Sequence, residues 1–422
     1  MPHGVCPPAQ EQLTESAAEL HVRKSGFPPG PPRRTGVELE WLLIDPNDPA
    51  HPLSPPRLAA AADAVRLLPL RSALTVEPGG QLELSSPPAA SLMRCVDAVD
   101  ADLRLVRGRL RPLGLALAGY GLNPWQSPRR VVHSPRYAAM EAHFDRGGSA
   151  GRFMMAGTAS TQICLDSGER EPGPLGQGRR WQLAHLLGAV LTATFANSPL
   201  QMGSPTGLRS TRQAVWAALD AGLAPAGAFA DPAAAWAAHA LDAPVMFIRT
   251  EQAPWITPRG LTFREWLRGT VPGLHPGLDD LDCHLSTLFP PVRPRGYLEL
   301  RMIDAQPGAD GWVVPLAVTA TLFDDPAAAE TAYRAVKQLA ERAGTGPAPR
   351  NPLWRAAVRH GLADPELREV AEVCFRAALE ALPRRGASPA VREAVARFAD
   401  RYVARGRCPA DDLLDTWKEQ HP

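Results

Sequence analysis

Lysine is nearly missing from this chain of 422 residues: it occurs only as Lys24, Lys337 and Lys418, although Lys and Arg together number 45. Almost all positive charge is therefore arginine. GC-rich coding explains such a bias simply, but the bias has a chemical consequence. Any phosphate or carboxylate held here meets guanidinium groups, which bind such anions bidentately. An excess of one charge is missing too, since 44 acids nearly cancel the 45 bases, and the bases form no tract. That argues against a polyanion-binding surface and against nucleic acid as a partner. The cysteines number six (Cys6, Cys95, Cys164, Cys283, Cys374, Cys408) and include no CxxC pair. Their scatter excludes the usual structural zinc and disulfide frameworks and fits a reducing cytoplasm. No basic segment followed by an apolar run opens the chain, so no signal peptide is expected. The longest apolar stretch, Leu183 to Ala196, is broken by His185, Thr192 and Thr194. It is too short for a membrane span and reads as a buried helix.

Several catalytic signatures are also lacking. There is no GxxxxGK[ST] and no HExxH, and Gly119-Tyr120-Gly121 runs into Pro124 where a dinucleotide fingerprint needs glycine. The run Gly147 to Gly151 formally matches GxSxG, but a nucleophile elbow needs an apolar strand before it and a helix after it. Here AHFDR precedes and the strand-like FMMAGTAS follows, so the run reads as a loop.

What is present is a hydrophobic content of 45%, enough for one large domain or two ordinary ones. Residues 1–34 start with a short helical pattern and end in a Pro-rich run, which predicts an N-terminal arm or linker. From Thr35, TGVELEWLLID alternates as a half-buried strand. ALTVEPGGQLELSS reads as strand, turn and strand. Leu92 to Leu110 has helical spacing, LALAGYG and PVMFIR suggest strands, Thr158 to Asp166 alternates, a helix is expected around Thr211 to Ala221, and YLELRMID is a strand. Beyond about Asp325 only helical patterns remain. The expectation is an α+β fold with antiparallel-type strands, a catalytic domain over residues 35–320, and a helical region over 321–422 packed on it.

Side chains alternate along a strand. Glu38 and Glu40 therefore share a face, as do Gln81 and Glu83, and Glu299 shares one with Arg301. Glu77 sits just before the turn leading to Glu83. If these strands join one sheet, five carboxylates (Glu38, Glu40, Glu77, Glu83, Glu299) could line its polar side. Like charges so placed repel one another. A hard divalent cation such as Mg²⁺ would relieve them and bridge them to substrate phosphates. For each acid alone, a solvent-exposed polar strand position is the simpler account; the three motifs together favour the metal reading.

The segments GVELEWL, EPGGQLELS, RYAAM, FMMAGTASTQICLD, ANSP, TGLRSTRQAVWAALD and CHLSTLFPPVRPRGYLELRMID occur in this order across residues 35–320. In that order they resemble the plant-type glutamate–cysteine ligases, most closely the actinobacterial branch associated with ergothioneine biosynthesis. The resemblance implies a glutamine-synthetase-like antiparallel sheet, ATP, Mg²⁺, and the five glutamates as metal and phosphate-site acids. It also implies Thr158, Ser160 and Gln162 near substrate or nucleotide, and Arg212, Arg293 and Arg301 as the anion-binding and catalytic arginines. Many relatives carry an amide where this chain has Cys164. The implied reaction activates the side-chain carboxylate of L-glutamate as an acyl phosphate and joins it to the amine of L-cysteine in the cytoplasm. A ligase with another acceptor amine, a small-molecule phosphotransferase and an inactive ligand-binding relative remain as alternatives. No feature demands a second chain, and a monomer is one reading.

Overall fold

The computed structural model describes residues 12–30, 32–219, 231–344, 346 and 348–421. Its centre is a seven-stranded antiparallel sheet: β1 (Thr35–Ile44), β2 (Ala73–Val76), β3 (Leu82–Ser85), β4 (Ala116–Ala118), β5 (Ser160–Leu165), β8 (Val292–Pro294) and β9 (Leu298–Asp304). The main path runs β2-β3-β1-β5-β9-β8, with β4 paired to the far end of β1. A separate hairpin joins β6 (Leu200–Gln201) to β7 (Ser204–Pro205).

The alternating pattern explains which way the sheet faces. Val37, Leu39, Leu82, Leu84, Ile163, Leu165, Leu298 and Leu300 are all buried in the main core. Helices cover that side: Leu92–Leu110, started by the Ser91 hydroxyl accepting from Arg94 N–H, Gln177–Thr194, and the wholly buried Val313–Asp324. Beyond Asp325 the described chain is helical, as expected. The Glu15–Gly26 helix, within the segment read as an arm, packs on the Pro232–Asp242 helix and buries Ala18 and Val22. Residues before Gln12 in that segment, and the end of the helix expected to reach Ala221, lie outside the described residues.

Two local expectations fail. FMMAG is not strand but the end of a helix, Ala150–Gly157, and β5 begins only at Ser160. The loop GGSAG is thus followed by a helix, but the Pro135–Asp145 helix rather than a strand precedes it, so no nucleophile elbow forms. PVMFIR forms no ladder strand, only an isolated bridge from Pro244 to Thr262, and Val245 to Ile248 are buried without regular structure. The Pro78–Gln81 turn fits the first of its two glycines closely. A Cβ on Gly79 would lie 2.2 Å from the Ala156 carbonyl oxygen, and Gly80 has φ of 90°, a conformation glycine adopts without strain.

Candidate active site

The polar side of the sheet forms the floor of a cavity of about 290 Å³. Its charges are sorted by strand. Glu83 on β3 stands directly opposite Glu40 on β1, a pairing that is repulsive unless something intervenes. Glu38 and Glu77 complete this acidic end. The Glu83 carboxylate accepts from Thr75 Oγ1 at 2.8 Å and Ser85 Oγ at 3.1 Å. Burial, then the neighbouring carboxylates, push Glu38 up to about 7 and Glu77 up to about 8. Burial likewise raises Glu40 and Glu83. The acidic end is thus short of positive charge.

The other end, on β8 and β9, is basic. Arg293 makes a bidentate pair with Glu299, Nε to Oε2 and Nη2 to Oε1 both at 2.9 Å, and Arg301 Nη1 also meets Oε1. Glu299 is 0% exposed. Burial alone would raise its carboxyl, but Arg293 and Arg301 hold it at about 2. Its oxygens are already taken up by guanidinium groups, which sets it apart from the other four acids.

Between the two ends lies β5. Gln162 Nε2 donates to Glu40 at 2.9 Å, and its carbonyl oxygen accepts from Arg301. Ser160 Oγ donates to the other Glu40 oxygen at 2.9 Å. Both residues thus hold Glu40; of the two, only Gln162 lines the cavity. The β5–β9 register shifts between Thr161 and Ile163, a bulge of the kind that re-aims side chains beside active sites. Thr158 lines the cavity but spends its hydroxyl on the Met154 carbonyl. Cys164 Sγ donates to Glu38 at 3.8 Å, and burial raises the thiol well above its ordinary value.

Arg212, 2% exposed, begins the Thr211–Ala217 helix. It donates Nη2 to the Arg301 carbonyl at 2.9 Å, while Nη1 lies 3.7 Å from Asp304. Its Nε and Nη1 make no hydrogen bond. Asp304 fixes that helix to the sheet, accepting from Asn197 N–H at 2.8 Å, Ser198 Oγ at 2.7 Å and Ser210 Oγ at 3.0 Å. Asp304 is therefore a buried hub rather than a turn residue. His284 packs on Phe263 and bonds the Ala240 carbonyl, a core role.

The roof holds residues given no role from the sequence. Arg136, Tyr137 and Met140 come from the Pro135–Asp145 helix, and Met154 and Met155 from the next. The motif RYAAM contained the signal, but nothing local shows that its helix lies over the sheet. Trp216 and Phe289 also line the cavity, each within 6 Å of the Arg301 guanidinium: 5.7 and 5.6 Å. A larger cavity of about 550 Å³ lies beyond the Pro78–Gln81 turn. It has no acidic lining, so the chemistry belongs to the smaller one.

The floor can serve two kinds of group. Its arginine end suits phosphate and carboxylate. Its acidic end suits a hard cation with oxygen ligands. Among the described residues, no three acids already converge as a metal cage. The fit rests on the donor set and on the raised, mutually repelling carboxyls.

Known proteins resemble this chain along most of its length. The profile of glutamate-cysteine ligase family 2 (GCS2) matches residues 34–422. The glutamate–cysteine ligase EgtA of Mycolicibacterium smegmatis is 38% identical over 421 residues, covering 98% of this chain and 93% of that protein. The chloroplastic glutamate–cysteine ligase of Nicotiana tabacum is 32% identical over 266 residues, covering 60% of this chain and 50% of that one. A solved glutamate–cysteine ligase from Francisella tularensis, in complex with AMP, is a fainter likeness, with TM-score 0.49, 12% identity and coverage of 93% and 86%.

Proposed function

This chain belongs to glutamate–cysteine ligase family 2, and from that premise we propose that it joins L-glutamate to L-cysteine at the expense of ATP. The product is γ-glutamylcysteine, made in the cytoplasm and, in keeping with the resemblance to the actinobacterial branch, for ergothioneine biosynthesis. The observation that carries the reading is the sorting of charge across one sheet face, acids on β1–β3 and arginines on β8–β9.

Glu38, Glu40, Glu77 and Glu83 would hold Mg²⁺, which when bound supplies charge neutralisation for the ATP phosphates. Glu299 would join them only if Arg293 and Arg301 released it. Arg293 and Arg301 neutralise the transferring phosphoryl group, and Arg212, with two unbonded N–H groups, accepts an anion without breaking an existing bond. The γ-carboxylate oxygen of glutamate attacks the terminal phosphorus of ATP and ADP leaves. The amine of cysteine then attacks the acyl carbon, phosphate departs with one former glutamate oxygen, and the amine gives up a proton. The wall of Met and aromatic side chains keeps water from the acyl phosphate.

Two measurements test this. ADP and phosphate should appear at full rate only with both amino acids present, in a panel of acceptor amines with glutamate and Mg·ATP fixed. Glutamate labelled with heavy oxygen in its γ-carboxylate should pass one label into phosphate. Unlabelled phosphate, while γ-glutamylcysteine accumulates, excludes the acyl phosphate; AMP in place of ADP would mean adenylation.

A further inference from the structure

The Thr211–Ala217 helix has different neighbours on its two sides. Arg212 and Trp216, four residues apart, line the active-site cavity. Ala214, Ala217 and Ala218, at spacings of three and four, fall on the opposite side and line another cleft, of about 440 Å³. Across it stands the Pro352–His360 helix. The alanines leave room on one wall, and Leu208 and Val358 make the lining apolar.

The rest of the lining is basic. Arg350, Arg355 and Arg359 border the cleft, and among the described residues no acid does. Arg350 donates Nε to the Ala217 carbonyl at 2.9 Å, at a helix C-terminus, where a cation is favoured. Arg355 and Arg359 are exposed and one turn apart, and no side-chain hydrogen bond or ion pair holds either of them among the described residues. Like charges at that spacing repel. Other helices of this chain place an acid there: Arg334, Arg368 and Arg397 each have a glutamate four residues away. Guanidiniums gathered at the edge of an apolar cleft suit an anion with several oxygens and an apolar body.

We infer that this cleft is a second ligand site, for a small phosphate-bearing molecule with an apolar body, and that its occupancy acts on the active site through the Thr211–Ala217 helix. A phosphomonoester carries about two negative charges at neutral pH, which calls for more than one guanidinium. Mg·ATP belongs to the acidic cavity instead, since the cleft has no carboxylate to keep the metal. The coupling is mechanical. The Val358 carbonyl accepts from the N–H groups of Arg209 and Ser210, at 2.8 and 3.1 Å, and Arg350 holds the other end of the helix. The two walls are thus tied together at both ends of the cleft. A ligand drawn in between Arg355, Arg359 and the alanine face shifts the short helix as a unit, and Arg212 and Trp216 on its far side move with it.

The test uses the whole protein with Mg·ATP at saturation, so that the active-site cavity is already filled, and phenyl phosphate as the probe. Calorimetry should show a single site. Inorganic phosphate, which lacks the apolar body, and benzyl alcohol, which lacks the anion, should each bind at least about tenfold more weakly. The double variant Arg355→Gln/Arg359→Gln should weaken phenyl phosphate by on the order of a hundredfold. Its melting temperature and its turnover without the probe should stay native, since both side chains are exposed and neither lines the active-site cavity. In the native enzyme the probe should change kcat/KM for glutamate by roughly fivefold or more, an effect that further ATP does not relieve and that the double variant loses. No binding heat in the presence of Mg·ATP, or equal binding by native and double-variant protein, would overturn the site. Binding with unchanged kcat/KM would overturn the coupling. The calorimetric arm reads no turnover, so a protein without ligase activity would remove the reading above and leave the cleft to be judged by its own binding.

Discussion

The same substitution, Glu to Gln, should have opposite effects on stability at two acids of one cavity. Glu299 is fully buried and answers two guanidiniums, Arg293 and Arg301. A Gln there removes the negative charge that pairs with both and turns an NH₂ toward N–H donors. Breaking a buried pair by removing one partner costs about 3–5 kcal/mol. Unfolding entropy of about 2 cal/mol/K per residue, taken over 422 residues, turns that into a fall in Tm of about 3–6 °C. Glu83 faces Glu40 across the ladder, and burial raises its carboxyl. A Gln at Glu83 removes a repulsion and keeps an acceptor for Thr75 and Ser85. Glu83→Gln should therefore melt at or above the native temperature in EDTA while losing turnover and the extra stability conferred by Mg·ATP. Thermal melts with and without Mg·ATP, beside steady-state rates, read both effects. If Glu299→Gln melts within a degree of native, or Glu83→Gln falls as far as Glu299→Gln, the division of the floor into a paired basic end and an unpaired acidic end is wrong.

Three further outcomes follow from the same geometry. Burial, then neighbouring carboxylates, push Glu38 up to about 7 and Glu77 up to about 8, from an ordinary 4.5; raised acids lend stability that is full below the ordinary value and lost as pH rises through the folded one. Metal-free protein should therefore lose Tm between roughly pH 5 and pH 8, and Mg·ATP should shrink that loss and release protons on binding; a flat Tm would count against the burial of these acids. Asp304→Asn should cost about 2–4 kcal/mol, since it unsettles three donors and leaves Arg212 without its charge partner, and it should lower kcat/KM through displacement of the Thr211–Ala217 helix. Unchanged urea unfolding would refute the hub. Gly79→Ala forces a methyl against the Ala156 carbonyl and should cost about 1–3 kcal/mol, read as a lower urea midpoint at unchanged slope, together with lost turnover because Glu77 and Glu83 flank that turn.

The strand faces were readable in the sequence because a half-buried sheet imposes period two, and GVELEWL, GQLELS and YLELR each show it. FMMAG was misread because five apolar residues carry no period long enough to tell an eight-residue helix from a strand. PVMFIR was misread for a related reason: Val245 and Ile248 are buried in the main core and Met246 and Phe247 in the smaller methionine-rich one, and burial asks for apolar residues whether or not the backbone joins a ladder. The difference between Glu299 and the other acids was not readable at all. It depends on Arg293 arriving at Glu299 through the β8–β9 register, and cross-strand register is a property of the assembled sheet. Arg136 was hidden for the same cause, since a helix lying over a sheet leaves no mark in its own sequence.

A floor with acids at one end and guanidiniums at the other needs a neutral strip, or the ends would pair with each other and close the site. β5 supplies it. Gln162 is the side chain that meets both ends at once, donating from Nε2 to Glu40 and accepting at Oε1 from Arg301. An acid there could accept from Arg301 but would repel Glu40, and a base would do the reverse; a neutral amide has both a donor and an acceptor. Cys164, two residues along on the same face, meets the same requirement in a reduced form. Its thiol, kept neutral by burial, donates to Glu38 while its strand partner is Glu299. An amide at that position, the residue that the resemblance implies for many relatives, would donate in the same direction, so the thiol preserves the polarity of the strip with a weaker donor. The Glu38 oxygen it touches also receives only the long 3.5 Å contact from Tyr297. Glu38 is thus held more loosely than Glu40, which has two donors at 2.9 Å, and of the two acids on β1 it is the freer to turn toward a cation.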